Sequence, residues 1–153
     1  MFLHQENSIA HLRTVGKVQL LEDKMVSEKP KSKLGIAHTR WATHRPPSKI
    51  NSHPHVSNSG KLYLIHNGII ENYDSLKTIL TRKGYVFKSE TDSEVLVNLI
   101  EEIKKSKKIK LGKAVRLALK EVVGAYAIAV FDSSNPSEIV TAKLGSPLTI
   151  GVG

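Results

Sequence analysis

Ala125-Tyr126-Ala127-Ile128-Ala129-Val130-Phe131 is the longest run of strand-forming residues in the chain, and it decides the fold class. Two further apolar runs, residues 138–142 and 148–152, follow it after short polar breaks. Strands separated by so little chain pair side by side in opposite directions. The carboxyl-terminal part therefore predicts a β-meander, and antiparallel pairing rather than a purely parallel sheet.

Helical and extended patterns alternate upstream of this run. Apolar residues at helical spacing predict four helices. One begins near Val18 and stops at Pro30, two span residues 71–82 and 111–122, and one follows a capping box from Thr91 to Glu94. Short apolar runs predict strands at residues 34–37, 62–65 and 85–87. A long loop is predicted by Pro46, Pro47 and Pro54 together with Asn51, Asn58 and Gly60. The pattern is that of an α+β fold.

Composition limits the possible classes of protein. A chain of 153 residues, 40% hydrophobic and 24% charged, suits one globular domain over residues 1–153. No apolar run is long enough to span a membrane and the first residues do not form a leader, so we expect a cytoplasmic protein without a membrane partner. The absence of cysteine excludes disulfides, thiolate metal ligands and a cysteine nucleophile within these residues.

The formal charge of +9 raises the alternative of a nucleic-acid-binding domain. The densest basic stretch contains Lys104, Lys105, Lys107, Lys108, Lys110 and Lys113. It follows a predicted helix and surrounds Gly112, so a solvated helix end accounts for it, and no aromatic residues interleave with it. We therefore expect no nucleic-acid partner.

His38-Thr39-Arg40-Trp41-Ala42-Thr43-His44 stands where an apolar strand meets the long loop. An arginine there can bind a carboxylate through two parallel hydrogen bonds, and Thr43 and His44 can add shorter polar contacts. A structural arginine beside a packed tryptophan accounts for the same residues. The spacing alone does not decide between these interpretations.

His66-Asn67-Gly68 follows a predicted strand, and we expect a turn there. A side-chain amide beside a glycine N–H supplies the donors of an oxyanion hole. Asn-Gly is also the commonest hairpin dipeptide, although a helix rather than a second strand is predicted next.

Ser89-Glu90-Thr91-Asp92-Ser93-Glu94 marks a helix start. Free N–H groups and the helix dipole stabilise a carboxylate at such a position, which alone accounts for Asp92. Asp92 could equally accept hydrogen bonds from the ammonium group of a substrate.

His44, His53, His55 and His66 invite a metal interpretation. The His-Pro-His spacing points neighbouring side chains apart in an extended segment, and no helical pair of histidines supports it. A structural loop with hydrogen-bonded imidazoles is favoured, and we expect neither a metal nor another cofactor.

Four blocks in order along the chain together resemble one family. The blocks are Gly35-Ile36-Ala37-His38-Thr39-Arg40-Trp41-Ala42-Thr43-His44, Asn51-Ser52-His53-Pro54-His55, Ile65-His66-Asn67-Gly68-Ile69-Ile70-Glu71-Asn72-Tyr73 and Ser89-Glu90-Thr91-Asp92-Ser93-Glu94. Similar residues continue from Gly124-Ala125-Tyr126 to Gly145-Ser146-Pro147-Leu148. The chain resembles the class II glutamine amidotransferase domains of glucosamine-6-phosphate synthases over nearly its whole length.

The resemblance implies an N-terminal-nucleophile hydrolase fold, an αββα sandwich in which two antiparallel sheets stack between layers of helices. In that family an amino-terminal cysteine attacks the side-chain amide of L-glutamine, and its own α-amino group serves as the base. The ammonia passes to a sugar isomerase domain that converts fructose 6-phosphate to glucosamine 6-phosphate.

The resemblance also implies roles for individual residues. Arg40 would bind the α-carboxylate of glutamine, with Thr43 and His44 lining the same end, and Asp92 would bind the α-ammonium. Asn67 and the Gly68 N–H would stabilise the oxyanion. Trp41 would gate the site.

Two departures from the family pattern accompany this resemblance. The family's opening strand and its cysteine have no counterpart before Met1, whose thioether cannot form a thiolate, so we expect a partial domain that lacks the first strand and is inactive alone. An unpaired sheet neighbour would then favour dimerisation, swapping or marginal stability of this piece. Separately, we expect the full-length protein to be a homodimer. Arg45 and Pro46 replace a glycine and an acidic residue. A non-catalytic glutamine-binding module of the same fold is the alternative.

Overall fold

The computed structural model describes residues 2–5, 8–29, 34–39 and 48–152. Seven strands and four helices occur within these ranges. They are β1 (Phe2–Gln5), β2 (Ser8–His11), α1 (Val18–Glu28), β3 (Leu34–Ile36), β4 (His55–Val56), β5 (Leu62–Ile70), α2 (Tyr73–Arg82), α3 (Asp92–Lys107), α4 (Leu111–Ala118), β6 (Gly124–Asp132) and β7 (Asn135–Leu144).

The strands form two sheets, and every pairing between these strands is antiparallel. One sheet has the order β2-β1-β3 and the other has the order β4-β5-β6-β7. The strands β5, β6 and β7 are neighbours in space, and β6 and β7 also follow one another in the chain. The predicted α+β class and antiparallel pairing are confirmed.

Two apolar clusters place the layers of the fold. The smaller one joins the two sheets through Ile36, Tyr63 and Phe131, and the rings of Tyr63 and Phe131 stack with centroids 5.1 Å apart. The larger one fills the opposite face of the four-stranded sheet, where Leu62, Leu64 and Ile70 meet residues of α2, α3 and α4. The four-stranded sheet therefore lies between the second sheet and a layer of three helices.

The predicted turn at His66-Asn67-Gly68 is wrong. β5 runs without a break from Leu62 to Ile70, and these three residues pair with Ile128, Ala127 and Tyr126 of β6. Gly68 has φ +136°, and a Cβ on it would overlap the Ala125 carbonyl oxygen. The glycine therefore permits a close approach between two strands and does not reverse the chain.

Two other predicted strands are wrong as well. Residues 85–87 form no strand, because Tyr85 and Phe87 instead pack partly buried against the larger cluster. Residues 148–152 form no strand either, and the side chains of Ile150 and Val152 are 75% and 96% exposed. In both segments the β-forming composition lacks a neighbouring strand that would complete the pairing.

Smaller differences concern the ends of elements. α4 ends at Ala118 and not at residue 122, and the proline-containing loop includes β4, which pairs with β5. The capping box is half formed: the Thr91 hydroxyl accepts the Glu94 N–H, whereas the Glu94 carboxylate accepts the Ser89 N–H and not that of Thr91. Glu94 thereby fixes the chain that leads into α3.

The basic stretch lies at the end of α3, where the helix dipole favours cations. Lys104 Nζ lies 2.9 Å from Asp132 Oδ2 at the end of β6, so one of these charges is neutralised within the fold. None of the helices in the described ranges combines the length and the apolar character needed to cross a bilayer.

Candidate functional site

The start of α3 and the end of β5 meet at Asp92. Asp92 Oδ2 accepts a hydrogen bond from the Ile70 backbone N–H at 2.8 Å. Thr91 caps the helix with extended backbone and a side chain that accepts the Glu94 N–H, so Asp92 occupies the first helical position. This arrangement brings the Asp92 carboxylate, whose side chain is 23% exposed, to the edge of β5. The point of contact, Ile70, lies three residues along the strand from Asn67.

Ser93 connects Asp92 with two imidazoles. Its hydroxyl lies 3.0 Å from His66 Nδ1, 3.0 Å from His53 Nε2 and 3.3 Å from Asp92 Oδ1. Ser93 is 2% exposed, so these contacts form away from bulk water. The low dielectric of such a place strengthens each hydrogen bond and makes the loss of any partner costly.

His66 is also enclosed, with a side chain 1% exposed. Burial lowers the pKa of His66 below its ordinary value, although the Asp92 carboxylate, 3.9 Å from Nδ1, acts to raise it. The imidazole is therefore neutral at physiological pH.

His38, just beyond β3, reaches the opposite face of β5. Its Nε2 lies 2.7 Å from Asn67 Oδ1. Its ring lies against that of His53, with centroids 4.2 Å apart and an interplanar angle of 38°. Asn67 is exposed, in contrast to the buried His66 beside it, because neighbouring strand residues point to opposite faces. The pair of imidazoles therefore joins the two faces of β5.

Arg13 holds the loop that carries His53. Its guanidinium donates to the Lys49 carbonyl at 2.9 Å and also to the Pro54 carbonyl. A cavity of about 130 Å³ lies beside it and is lined in part by His38 and His53. The loop between β3 and β4 is thus attached to the segment before α1.

The structure places three of the residues predicted for the site on two adjoining elements. Asn67 and Gly68 belong to β5, and Asp92 begins α3. The other four, Arg40, Trp41, Thr43 and His44, lie outside the described residues, as do Arg45 and Pro46.

The histidines were predicted to form hydrogen bonds within a loop. His53 and His55 are hydrogen-bonded: His53 Nε2 lies 3.0 Å from Ser93 Oγ, and His55 Nε2 lies 3.1 Å from Thr91 Oγ1. In the described ranges no group of three or more histidine or carboxylate side chains is arranged to hold a metal ion.

Sequence reasoning gave no role to Arg13, His38 or Ser93. The contacts of Ser93 with His53 and His66 span 40 and 27 residues, so no local pattern reveals them. The repeated occurrence of histidine at positions 38, 53, 55 and 66 was the available signal.

Comparison with known proteins identifies a family. The family described as "Glutamine amidotransferase domain" matches residues 22–148. Among curated relatives, a glutamine--fructose-6-phosphate aminotransferase [isomerizing] of Bacteroides thetaiotaomicron is 56% identical over 141 residues, 92% of this chain and 23% of the relative. A protein of the same name from Haemophilus ducreyi is 46% identical over 99% of this chain and 24% of the relative. One from Chlorobaculum tepidum is 59% identical over 78% of this chain and 20% of the relative. The chain thus spans about a quarter of the length of these relatives.

Solved structures share the architecture. Glutamine phosphoribosylpyrophosphate amidotransferase from B. subtilis, complexed with ADP and GMP, superposes with a TM-score of 0.56 at 32% identity, covering 69% of this chain and 22% of that one. A structure titled as the allosteric regulatory enzyme of purine biosynthesis gives a TM-score of 0.57 at 31% identity, with the same coverage. These neighbours are N-terminal-nucleophile hydrolase amidotransferases, so the predicted fold class is confirmed. Together with the match over most of its length, they show that the chain belongs to the glutamine amidotransferase domain family.

Proposed function

We propose that this chain is the glutamine-binding part of an enzyme that hydrolyses L-glutamine to glutamate and ammonia, and that the ammonia serves the conversion of fructose 6-phosphate to glucosamine 6-phosphate. The observation that carries the proposal is the contact of Asp92 with the Ile70 N–H, which attaches the carboxylate that would bind the ammonium group to the strand that carries Asn67 and Gly68. The family match and the names of the relatives support the same reaction.

The contact with His38 orients the Asn67 amide for a role in the oxyanion hole. An imidazole N–H at 2.7 Å donates to Asn67 Oδ1, so the carbonyl end of the amide is occupied. The NH₂ end is then directed away from His38 and supplies a donor to the oxygen that becomes negative when the glutamine amide is attacked.

The direction of the Gly68 N–H follows from the alternation of backbone groups along β5. On the β6 side, the Glu71 N–H donates to the Val123 carbonyl and the Lys61 carbonyl accepts the Ser133 N–H. On the opposite side, the Ile70 N–H donates to Asp92 and the Leu62 carbonyl accepts the Ser57 N–H. Backbone groups of the even-numbered residues therefore face away from β6. This supports the Gly68 N–H as a second oxyanion donor, at an edge that β4 covers only as far as Leu64.

Asp92 would bind the α-ammonium of glutamine at the other end of the substrate. One carboxylate oxygen holds the Ile70 N–H, but each oxygen has two acceptor directions, so capacity remains for an ammonium group. The partial exposure of Asp92 leaves the carboxylate accessible. Arg40 with Thr43 and His44 would bind the α-carboxylate, and Trp41 would close the site.

The 153 residues contain no cysteine, so we propose that the attacking thiolate and its α-amine belong to a part of the parent protein outside them. The sugar isomerase domain would belong to the same parent, which would be a homodimer in the cytoplasm and would bind neither membrane nor nucleic acid. The chain alone would bind L-glutamine without hydrolysing it.

The proposal is tested by measuring glutamate and ammonia release by the chain and by a version extended upstream to a cysteine. We expect hydrolysis in the extended form alone. Asn67→Ala in that form should lower the rate by about 10²–10³-fold, because one oxyanion donor is lost.

Asn58→Ala is the matched control, because Asn58 is an exposed asparagine outside the site. It should leave the rate unchanged. Hydrolysis by the short chain, or none by the extended one, contradicts the proposal. Glutamine binding without hydrolysis in the extended form would instead indicate a non-catalytic glutamine-binding module.

A further inference from the structure

Ser93 has more hydrogen-bonding partners than its place in the helix requires. Thr91 already caps α3, and the contacts that the structure records for the Ser93 hydroxyl are side-chain atoms of His53, His66 and Asp92. Helix capping therefore does not account for a buried hydroxyl at this position.

One arrangement of protons satisfies all three contacts at once. A hydroxyl has one proton and two lone pairs, and an ionised carboxylate can only accept. In the arrangement that satisfies these three contacts, the Ser93 O–H donates to Asp92 Oδ1 and accepts from N–H groups at His53 Nε2 and His66 Nδ1. The hydroxyl is fully used in this arrangement, which favours the proton on Nε2 of His53 and on Nδ1 of His66.

The same contacts fix the plane of the Asp92 carboxylate. The Ile70 N–H holds Oδ2 at 2.8 Å and the Ser93 hydroxyl holds Oδ1 at 3.3 Å. Two attachments on different oxygens prevent the carboxylate from rotating about its Cβ–Cγ bond, which a single attachment would allow.

Ser93 also joins the two ends of the proposed site. Through His53 it reaches the ring of His38, which in turn bonds Asn67. The position of the Asp92 carboxylate and the orientation of the Asn67 amide are therefore parts of one connected set of contacts.

We propose that Ser93 is a positioning residue, which orients the Asp92 carboxylate toward the α-amino group of the substrate and links it through His53 and His38 to Asn67. This inference rests on the proposed function, because it assigns Asp92 to the amino group of glutamine. Ser93 itself touches no substrate atom in this role.

The test is calorimetric titration of the chain with L-glutamine and with 5-amino-5-oxopentanoate, which is glutamine without its α-amino group. Ser93→Ala should weaken L-glutamine binding about tenfold, the size expected for one lost orienting hydrogen bond. It should leave the affinity for the analogue unchanged, because the analogue has no group for Asp92 to bind and Asn67 acts on the oxyanion, which does not form on binding alone. Ser93→Thr, which keeps the hydroxyl, should restore most of the affinity.

Ser57→Ala is the matched control. Ser57 is also a buried serine, 4% exposed, and its hydroxyl donates to a carboxylate, that of Glu101, outside the site. This variant should lose thermal stability and keep its affinity for L-glutamine. Equal weakening of both ligands by Ser93→Ala, or no weakening of either, overturns the inference.

The proposed function and this inference fail in different ways. If the unmodified chain binds no L-glutamine, the proposed function of the chain fails. The positioning role is then decided by nitrogen NMR of the histidine rings: Ser93→Ala should change the His53 and His66 ring signals, and Ser57→Ala should not. Unchanged His53 and His66 signals in Ser93→Ala overturn the inference.

Discussion

The Ile70 N–H donates to the Asp92 carboxylate at 2.8 Å, so the last backbone donor of β5 is held by the first side chain of α3. This hydrogen bond does not remove the negative charge of Asp92, but it restricts the orientation of the carboxylate. The charge and the hydrogen-bond acceptor can therefore be separated experimentally.

Asp92→Asn keeps an oxygen for the Ile70 N–H and removes the charge. We expect L-glutamine binding to weaken by about 2 kcal/mol or more, because a charged hydrogen bond to the ammonium is lost. The free energy of unfolding should also fall, by about 1–3 kcal/mol, because the amide NH₂ replaces Oδ1 as the partner of the buried Ser93 hydroxyl. Calorimetry and urea denaturation measure the two quantities.

Asp74→Asn controls for the helix effect, because Asp74 is an exposed aspartate in the first turn of α2. It should change stability slightly and binding not at all. Equal glutamine affinity in Asp92→Asn and the unmodified chain would contradict the role of Asp92.

Gly68→Ala tests the close approach between β5 and β6. The new Cβ would overlap the Ala125 carbonyl oxygen at a φ of +136°, so we expect a loss of about 2–3 kcal/mol or more in the free energy of unfolding. Gly60→Ala has a positive φ of +76° but open space around it, and it should cost only about 1 kcal/mol. Similar losses in the two variants would show that the overlap is relieved without cost.

Thr91→Ala removes the side-chain cap of α3. The hydroxyl accepts the Glu94 N–H at 3.3 Å, and its loss should lower the free energy of unfolding by about 1 kcal/mol. Thr91→Ser, which keeps an acceptor at the same place, should lose much less. Equal stability of the alanine and serine variants in urea denaturation would refute a capping role.

Asp132 makes stability depend on pH. Burial would raise the pKa of Asp132, but hydrogen bonds from Ser134 and Lys104 outweigh it, so the pKa lies below its ordinary value. A lowered pKa in the folded state adds stability above the unfolded value of about 3.9. That stability disappears as the pH falls through the folded pKa.

Asp132→Asn should therefore reduce the loss of stability between about pH 5 and pH 3, and it should be less stable than the unmodified chain at neutral pH. Urea denaturation across this range provides the comparison. Glu138→Gln, an exposed change of the same charge on β7, should keep the original slope. An unaltered slope in Asp132→Asn would contradict the assignment.

Local sequence pattern predicted the elements whose residues pack on the larger cluster. The helical spacing before Ile103 and the β-forming run around Ile128 correspond to α3 and β6, because burial of one face imposes that spacing. The antiparallel pairing of β6 with β7 followed from the short connection between them, whereas the third strand of the predicted meander does not form. These features depend on residues near one another in the chain.

The failures depend on contacts between distant residues. Nothing local distinguishes Gly68 in a strand from a turn glycine, because its conformation is set by the Ala125 carbonyl. Tyr85 and Phe87 have strand-like composition but pack against the helical cluster. Asn67 and Asp92 were assigned to the site through resemblance and remain a prediction, whereas the contacts of Ser93 with the imidazoles required the fold itself.

Gly68 and Gly124 have a shared consequence for engineering. A Cβ at Gly124 would overlap the Ile69 carbonyl oxygen, just as one at Gly68 would overlap that of Ala125. The glycine of each strand thus leaves the space that a backbone carbonyl of the other strand occupies, although more than fifty residues separate the two glycines in the chain. A chimera assembled from two family members with its junction between β5 and β6 should lose stability unless both parents contribute a glycine here, which makes these two strands a single unit of exchange.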